Sequence, residues 1–508
     1  MIPTSNLATL LMQTARRFGD RPGLIRGEAV ARWGELGARV RAAAGGLAAL
    51  GVAKGDRVLV HARNSQAMFE SMWAVWMLGA VWVPTNFRLT PVEVAWLAQS
   101  CRAVAHVFDA AFPEHAAAAR LANPHARVHL DTGADWERLA GHLPLTEPVA
   151  VDRDDPCWFF YTSGTTGRPK AAMLTHGQMN FVVTNHLCDL MPGTTEADVS
   201  LVVAPLSHGA GIHALTQVAR GAASVLLPGE KFDGGAAWRL VERHKVSNMF
   251  TVPTILNLLA RDPAVAEVDH GSLRYVIYAG APMYRVDQQH ALRTLGPVLV
   301  QYFGLGEVTG NITVLPPALH STQDDWALTG SCGYPRTGME ISIRGADGSP
   351  GVTGDICVRG PAVFAGYFEN PEANAKAFSD GWFHTGDVGH LDATGALFIT
   401  GRASDMYISG GSNVYPREIE EALLLHPAIA EACVVGMPDA TWGESGVAVL
   451  VADAELTEAE VRRHLDARLA RYKQPSRIVF WEALPTSGYG KVAKREVRDR
   501  LSQSNNHV

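Results

Sequence analysis

Six short apolar runs constrain this chain more than any other feature. CWFFY (157–161), VSLVVAP (199–205), ASVLLP (223–228), NMFTVP (248–253), YVIYAG (275–280) and VLVQYFG (298–304) alternate with segments long enough for a helix. A strand that is apolar on consecutive residues needs cover on both faces, and a parallel neighbour needs a crossover, usually helical. The pattern therefore predicts an α/β fold with a mostly parallel, helix-covered sheet, whose ligands sit at the carboxyl ends of the strands. The same rhythm holds earlier, in DRVLVHA (56–62) and AVWVPTN (80–86).

From about Gly330 the rhythm changes. GMEISIRGADGSPGVTGDICVRGP reads as short strands and turns, a small β-rich subdomain. After GRASD (401–405) a compact α+β unit is expected: strand MYISGG, helix PREIEEALLLHP, strands EACVVGMPD and SGVAVLVAD, and helix TEAEVRRHLDARLA. A chain of 508 residues exceeds what one core serves. The expected division is a large domain over 1–401 and a small one over 402–508, with a hinge near 402–405.

Bulk properties narrow the partners. A formal charge of −7 gives no basic field for nucleic acid and favours a small-molecule partner. The six cysteines (101, 157, 188, 332, 357, 433) form no CxxC pair, which suits packed thiols in a reducing cytoplasm. The start, MIPTSNLATLLMQTARRFGD, reads as an amphipathic helix without the order of an export signal. SMWAVWMLGAVWVP (71–84) is shorter than the roughly 20 residues a membrane span needs, and reads as a buried helix running into a strand.

The stretch YTSGTTGRPK (161–170) follows one strand candidate and precedes another, AAMLT. It is not a P-loop: Lys170 follows Gly167 by three residues and no Ser or Thr comes next. It still offers the hydroxyls of Thr162, Ser163, Thr165 and Thr166, backbone N–H groups at Gly164 and Gly167, and the charge of Lys170. These suit polyphosphate oxygens. A polar surface loop is the alternative.

Four further segments follow in order: YFGLGE (302–307), FHTGD (383–387), GR (401–402) and GK (490–491). With the loop, they resemble the adenylate-forming superfamily of acyl-CoA synthetases, luciferases and peptide-synthetase adenylation domains, over essentially the whole chain. The acyl-CoA and aryl-CoA ligases are the nearest branch. The resemblance implies a small C-terminal domain that is mobile and a two-step reaction. A carboxylate attacks the α-phosphate of ATP to give acyl-adenylate and pyrophosphate, and the thiol of coenzyme A then displaces AMP.

Site residues follow from the same resemblance. Glu307 aligns with a Mg2+ glutamate, with Thr162 as a further metal contact; both offer hard oxygen ligands. Lys491 aligns with the lysine that bridges carboxylate and α-phosphate. Asp387 would accept the ribose hydroxyls and Arg402 would donate to the same sugar. In AGAPM, Gly280, Ala281 and Pro282 would let backbone approach adenine, with Phe303 stacking on it and Tyr302 and Gly304 beside it. His208 in PLSHGAG would stand between the carboxylate site and the acyl pocket, where Gly209, Ala210 and Gly211 suggest room for more than acetate. Ser409, Gly410 and Gly411 would line the pantetheine tunnel; a plain strand turn explains them as well. Lys494 reads as an ordinary surface lysine.

Three segments depart from the family's usual pattern: FGLGE replaces the usual YGxTE, so Phe303 lacks a phenol oxygen and Gly306 a threonine hydroxyl; Ala171 stands where glycine is common; Ser404 stands where the hinge usually carries Asp or Lys. The leading expectation is an ATP-dependent acid:CoA ligase using ATP, Mg2+ and coenzyme A. An enzyme loading a carrier protein is the rival, although the chain ends at Val508, soon after Lys491. A luciferase-like oxygenase or a non-catalytic nucleotide binder comes next. With no arginine in PLSHGAGIH or EVTGNITV, a dicarboxylate is disfavoured, and medium-chain fatty and aromatic acids stay open. Oligomeric state is open too, a homodimer included.

Overall fold

The structure, a computed structural model, describes residues 2–505 except 164–167, 230, 282, 346–347, 410–411, 440 and 487–491; the side chains of 163, 413, 504 and 505 also lie outside the description.

All six apolar runs form strands. Leu299–Phe303, Tyr275–Tyr278, Asn248–Thr251, Val199–Val202, Ala223–Leu226 and Pro22–Arg26 lie side by side, in that order and all parallel, in a nine-stranded sheet. Antiparallel strands close both edges: Thr313–Leu315 and Tyr334–Pro335 on one, Ala29–Arg32 on the other. The sixth run, within Pro156–Ser163, joins a second sheet. It pairs with Pro169–Thr175 antiparallel and continues through Val81–Thr85, Arg57–His61, Ala105–Phe108 and Val128–Asp131.

Alternate residues of the long sheet face opposite layers. Val202, Leu226, Phe250, Ile277 and Val300 join one buried cluster, which also holds Trp82 and Trp158 of the second sheet and the helices Trp33–Ala49, Gln66–Met77 and Gly209–Arg220. Leu201, Val225, Met249, Val276 and Leu299 face the other way, onto the helices that hold Trp238, Leu256 and Leu295. This two-residue alternation is why continuous apolar runs were required. The segment read as a buried helix and strand is Gln66–Met77 running into Val81–Thr85, with Trp73, Trp76 and Trp82 at 0% exposure.

Glu340–Arg344, Gly354–Arg359, Phe378–Ser379, Trp382–Leu391 and Leu397–Arg402 make the β-rich subdomain. Past it, Tyr407–Ser409, Ser412–Val414, Ile429–Asp439, Gly443–Ala452 and Arg477–Phe480 form a separate sheet covered by Pro416–Leu424 and Glu458–Asp466. Two readings need correction. Cys188 is exposed, the other five cysteines being buried. Lys494 is no solvated lysine: its Nζ donates to Glu420 Oε1 at 2.7 Å, and although burial opposes its charge, Glu420 holds its pKa above the ordinary lysine value.

Candidate active site

The long sheet's strand Leu299–Phe303 ends in a tight turn. A Cβ on Gly304 would stand 2.5 Å from Gly310 Cα, so only glycine lets the two limbs meet. Thr309 takes a left-handed φ of 52°, unusual for a branched residue, and the Asn311 amide donates to the Thr309 carbonyl and hydroxyl at 2.9 and 3.1 Å. The turn delivers Glu307, 5% exposed, to the strand pair Pro156–Ser163 and Pro169–Thr175.

There Glu307 Oε1 accepts two hydroxyls, Thr162 at 2.8 Å and Tyr367 at 2.9 Å. The Phe364 N–H donates to the Glu307 carbonyl at 2.8 Å. Burial, reinforced by the adjoining carboxylate, pushes the Tyr367 phenol well above its usual range, so Tyr367 stays a hydrogen-bond donor. Lys170 Nζ sits 5.0 Å from the centre of the same ring. The structure thus brings Thr162, Lys170 and Glu307 together, and adds Tyr367, which the sequence reading missed. Both hydroxyls address one oxygen, and a carboxylate with a neighbouring hydroxyl is a hard oxygen donor set of the kind Mg2+ takes.

Asp387 and Arg402 are cross-strand partners, with Arg402 Nε donating to Asp387 Oδ1 at 3.2 Å. Asp387 is 6% exposed. Gly280, at φ 84°, and half-buried Ala281 follow strand Tyr275–Tyr278, and Phe303 closes the next strand, half-buried against the core.

His208 stands at the N-terminus of helix Gly209–Arg220, its Nδ1 2.9 Å from Ser207 Oγ and its ring edge-on to Phe160 at 5.1 Å. The small residues after it do not open space as expected. A Cβ on Gly209 would strike the Phe250 ring at 2.4 Å, and one on Gly211 the Leu206 carbonyl at 2.0 Å. They allow close packing instead. Phe250 stacks on Tyr302 at 6.0 Å, and Tyr302 lies over Gly310, whose Cβ would meet it at 2.3 Å. Gly306 is explained too: a Cβ there would lie 2.6 Å from Phe160.

Arg336, outside the segments scanned for arginine, is fully buried behind this wall. Its NH2 group approaches His186 Nδ1 at 3.3 Å and its Nε lies 3.7 Å from Asp189, which answers its charge, while burial pulls its pKa down to about 10. No spare cation is offered to a second carboxylate by this residue.

The small sheet meets the large domain at Tyr284, whose hydroxyl reaches Glu420 at 3.5 Å, and at the Arg285 N–H, 3.4 Å from Glu421. Ser409 ends strand Tyr407–Ser409, paired with Ser412. Gly164, Thr165, Thr166, Gly167, Pro282, Gly410, Gly411 and Lys491 lie outside the described residues, as does the Ser163 side chain. The flanks of Lys491 are described: Thr486 bridges Val492, and the Ala493 N–H donates to the Pro485 carbonyl at 2.8 Å.

The sequence pattern of the family described as AMP-binding enzyme matches residues 11–368, and that of the AMP-binding enzyme C-terminal domain matches 418–491. The chain is an AMP-binding enzyme. A feruloyl-CoA synthase from an Amycolatopsis species is 38% identical to this AMP-binding enzyme over 502 residues, covering 96% of this chain and 98% of that one. A long-chain-fatty-acid–CoA ligase, FadD13, of Mycobacterium tuberculosis is 34% identical, covering 90% of each. The solved o-succinylbenzoate CoA synthetase (MenE) of Bacillus subtilis, bound to its acyl-adenylate intermediate, superposes with a TM-score of 0.85 at 30% identity, covering 99% and 98% of the two chains. The same synthetase is also solved with ATP and a magnesium ion. This AMP-binding enzyme is an ATP-dependent acid–CoA ligase acting on small molecules, with ATP, Mg2+ and coenzyme A as its co-reactants. Among the described residues no helix is long and apolar enough to cross a membrane.

Proposed function

We propose that this ligase activates a planar aromatic carboxylic acid. The supporting observation is the run of rings that starts at His208: Phe160 against its edge, and the stacked pair Phe250 and Tyr302 behind Gly209. A flat acid gains from aromatic neighbours what a flexible chain gains less of, because it has few rotors to freeze. The likeness to a feruloyl-CoA synthase points the same way.

In this reading Glu307 and Thr162 hold Mg2+, which supplies charge neutralisation on the phosphates when bound. Tyr367 fixes the carboxylate by its hydrogen bond. Lys170, beside Tyr367, holds the β- and γ-phosphates with Ser163, Thr165, Thr166 and the Gly164 and Gly167 amides, and Lys491 bridges the acid and the α-phosphate. Asp387 accepts the ribose hydroxyls and Arg402 orients it. Adenine lies between the segment Gly280, Ala281, Pro282 and the ring of Phe303, beside Gly304. His208 separates the carboxylate from the acyl wall. Neutralising two anions that must meet is the main task, and fixed donors perform it. A hinge at 402–405 separates a large domain over 1–401 from a small one over 402–508, whose Ser409, Gly410 and Gly411 admit the pantetheine arm. Five buried thiols suit the cytoplasm. Every named residue belongs to one chain, so the reading does not call on a homodimer.

The test is a carboxylate panel with hydroxylamine trapping of the acyl-adenylate and a parallel thioester assay with free coenzyme A. Hydroxylated cinnamic or benzoic acids should give the highest kcat/KM. A medium-chain fatty acid as the best substrate, or transfer to a carrier protein in preference to free coenzyme A, would overturn the assignment.

A further inference from the structure

The geometry points to a second metal site, remote in chemistry from the Mg2+ site: Cys357, His384 and Asp355 form a three-ligand cradle for one thiophilic divalent cation of the Zn2+ class. The strands Gly354–Arg359 and Trp382–Leu391 run antiparallel, and Cys357 and His384 are direct cross-strand partners. Asp355, two residues before Cys357, projects from the same face. The three potential ligand atoms lie within 4.8 Å of one another, the one such group among the described residues. His384 Nδ1 stands 2.5 Å from Asp355 Oδ2 and 3.4 Å from Cys357 Sγ, and Sγ is 3.4 Å from the same carboxylate oxygen.

The second ring nitrogen has its own partner. His384 Nε2 lies 2.5 Å from Ser379 Oγ. Without a cation, the Nδ1–H donates to Asp355 and Nε2 accepts the Ser379 hydroxyl; a bound cation displaces that proton to Nε2, which then donates to Ser379, so the ring is held from outside the metal shell. One sulfur, one imidazole nitrogen and one carboxylate oxygen leave a fourth tetrahedral position for water, and that donor set selects Zn2+ over Mg2+. The cradle is open on one side, since the side chains of His384 and Asp355 are 27% and 31% exposed while Cys357 is buried. Binding balances simply: the metal–sulfur bond replaces the S–H bond, and the proton leaves to solvent.

The test uses the full-length protein, stripped by chelation and titrated with Co2+ as the spectroscopic stand-in. One equivalent should bind with a thiolate-to-cobalt charge-transfer band and be displaced by Zn2+. Cys357→Ser should lose that band, and Cys188→Ser, which removes the exposed thiol, should keep it. If Cys357→Ser does not fold, His384→Ala decides: cobalt affinity should fall about 10-fold or more. Absence of the band in the unmodified protein, its survival in Cys357→Ser, or unchanged affinity in His384→Ala would overturn the site.

Discussion

Replacing Gly306 with threonine restores the side chain usual in related motifs, and in this chain it should impair the enzyme. A Cβ at 306 would lie 2.6 and 2.7 Å from two Phe160 ring atoms and 2.9 Å from Thr162 Cγ2, where ordinary contact begins at 3.4 Å. The shortfall is about 0.5–0.8 Å at three atoms. Phe160 has little freedom to yield, being flanked by Trp158 at 5.9 Å and His208 at 5.1 Å. Thr162 cannot withdraw without lengthening its 2.8 Å hydrogen bond to Glu307. Overpacking of this kind costs about 1–3 kcal/mol, which corresponds to roughly a 5- to 150-fold loss if it falls on the productive geometry. Acid-dependent ATP–pyrophosphate exchange measures it, with thermal unfolding run alongside to separate misfolding from misplacement. Phe160→Ala removes a ring of the acyl wall and costs activity by itself, but Gly306→Thr should add little to that cost, giving a coupling energy of about 1–3 kcal/mol in the double-mutant cycle. Strictly additive effects of the two substitutions would refute the claim that Phe160 occupies the missing side chain's space.

Glu307→Ala should depress exchange at every Mg2+ concentration, and full recovery in excess metal would reduce Glu307 to a minor contact. Lys491→Ala should nearly abolish exchange while leaving supplied acyl-adenylate reactive with coenzyme A; equal loss of both steps would contradict a role confined to adenylation. Tyr367→Phe removes a hydrogen bond to a buried carboxylate, a change of about 1.5–3 kcal/mol, and should raise the KM for Mg·ATP; an unchanged KM would assign Tyr367 to packing alone. Burial depresses His61 to about 3 and His106, His176 and His213 to about 4, so these rings fold neutral. The unfolded chain takes up their protons from about pH 6.5 downward, so stability should be flat above that and fall towards pH 4, by up to about 1.4 kcal/mol per histidine per pH unit. A melting temperature that holds constant from pH 7 to pH 5 would contradict it.

The parallel strands were legible because burial on both faces leaves a local trace, a run of consecutive apolar residues. Glu307 and Thr162, 145 positions apart, were legible only through the order of short motifs, each with its own backbone requirement. What stayed hidden depends on complementarity between distant segments. Nothing near Gly306 announces Phe160, and nothing near Gly209 announces Phe250; each glycine makes sense only against the ring that fills its space. Tyr367 sits in the turn segment AGYFENP, where no periodicity marks which way a ring points. Arg336 is a lone arginine in a loop, a pattern that ordinarily means solvent, and its burial is explained by Asp189, on a π-helical turn at His186–Leu190. Lys494 misleads for the same reason, since Glu420 lies 74 residues away.

The central claim is that the Glu307, Thr162 and Tyr367 cluster serves an acid–CoA ligase with an aromatic acyl wall. The most direct measurement incubates the enzyme with Mg2+, ATP, coenzyme A and a hydroxycinnamic acid, and quantifies all products. The account predicts acyl-CoA, AMP and pyrophosphate in equal amounts, with all three falling together in Glu307→Ala. Release of ADP and phosphate, or acid-independent cleavage of ATP, would contradict it.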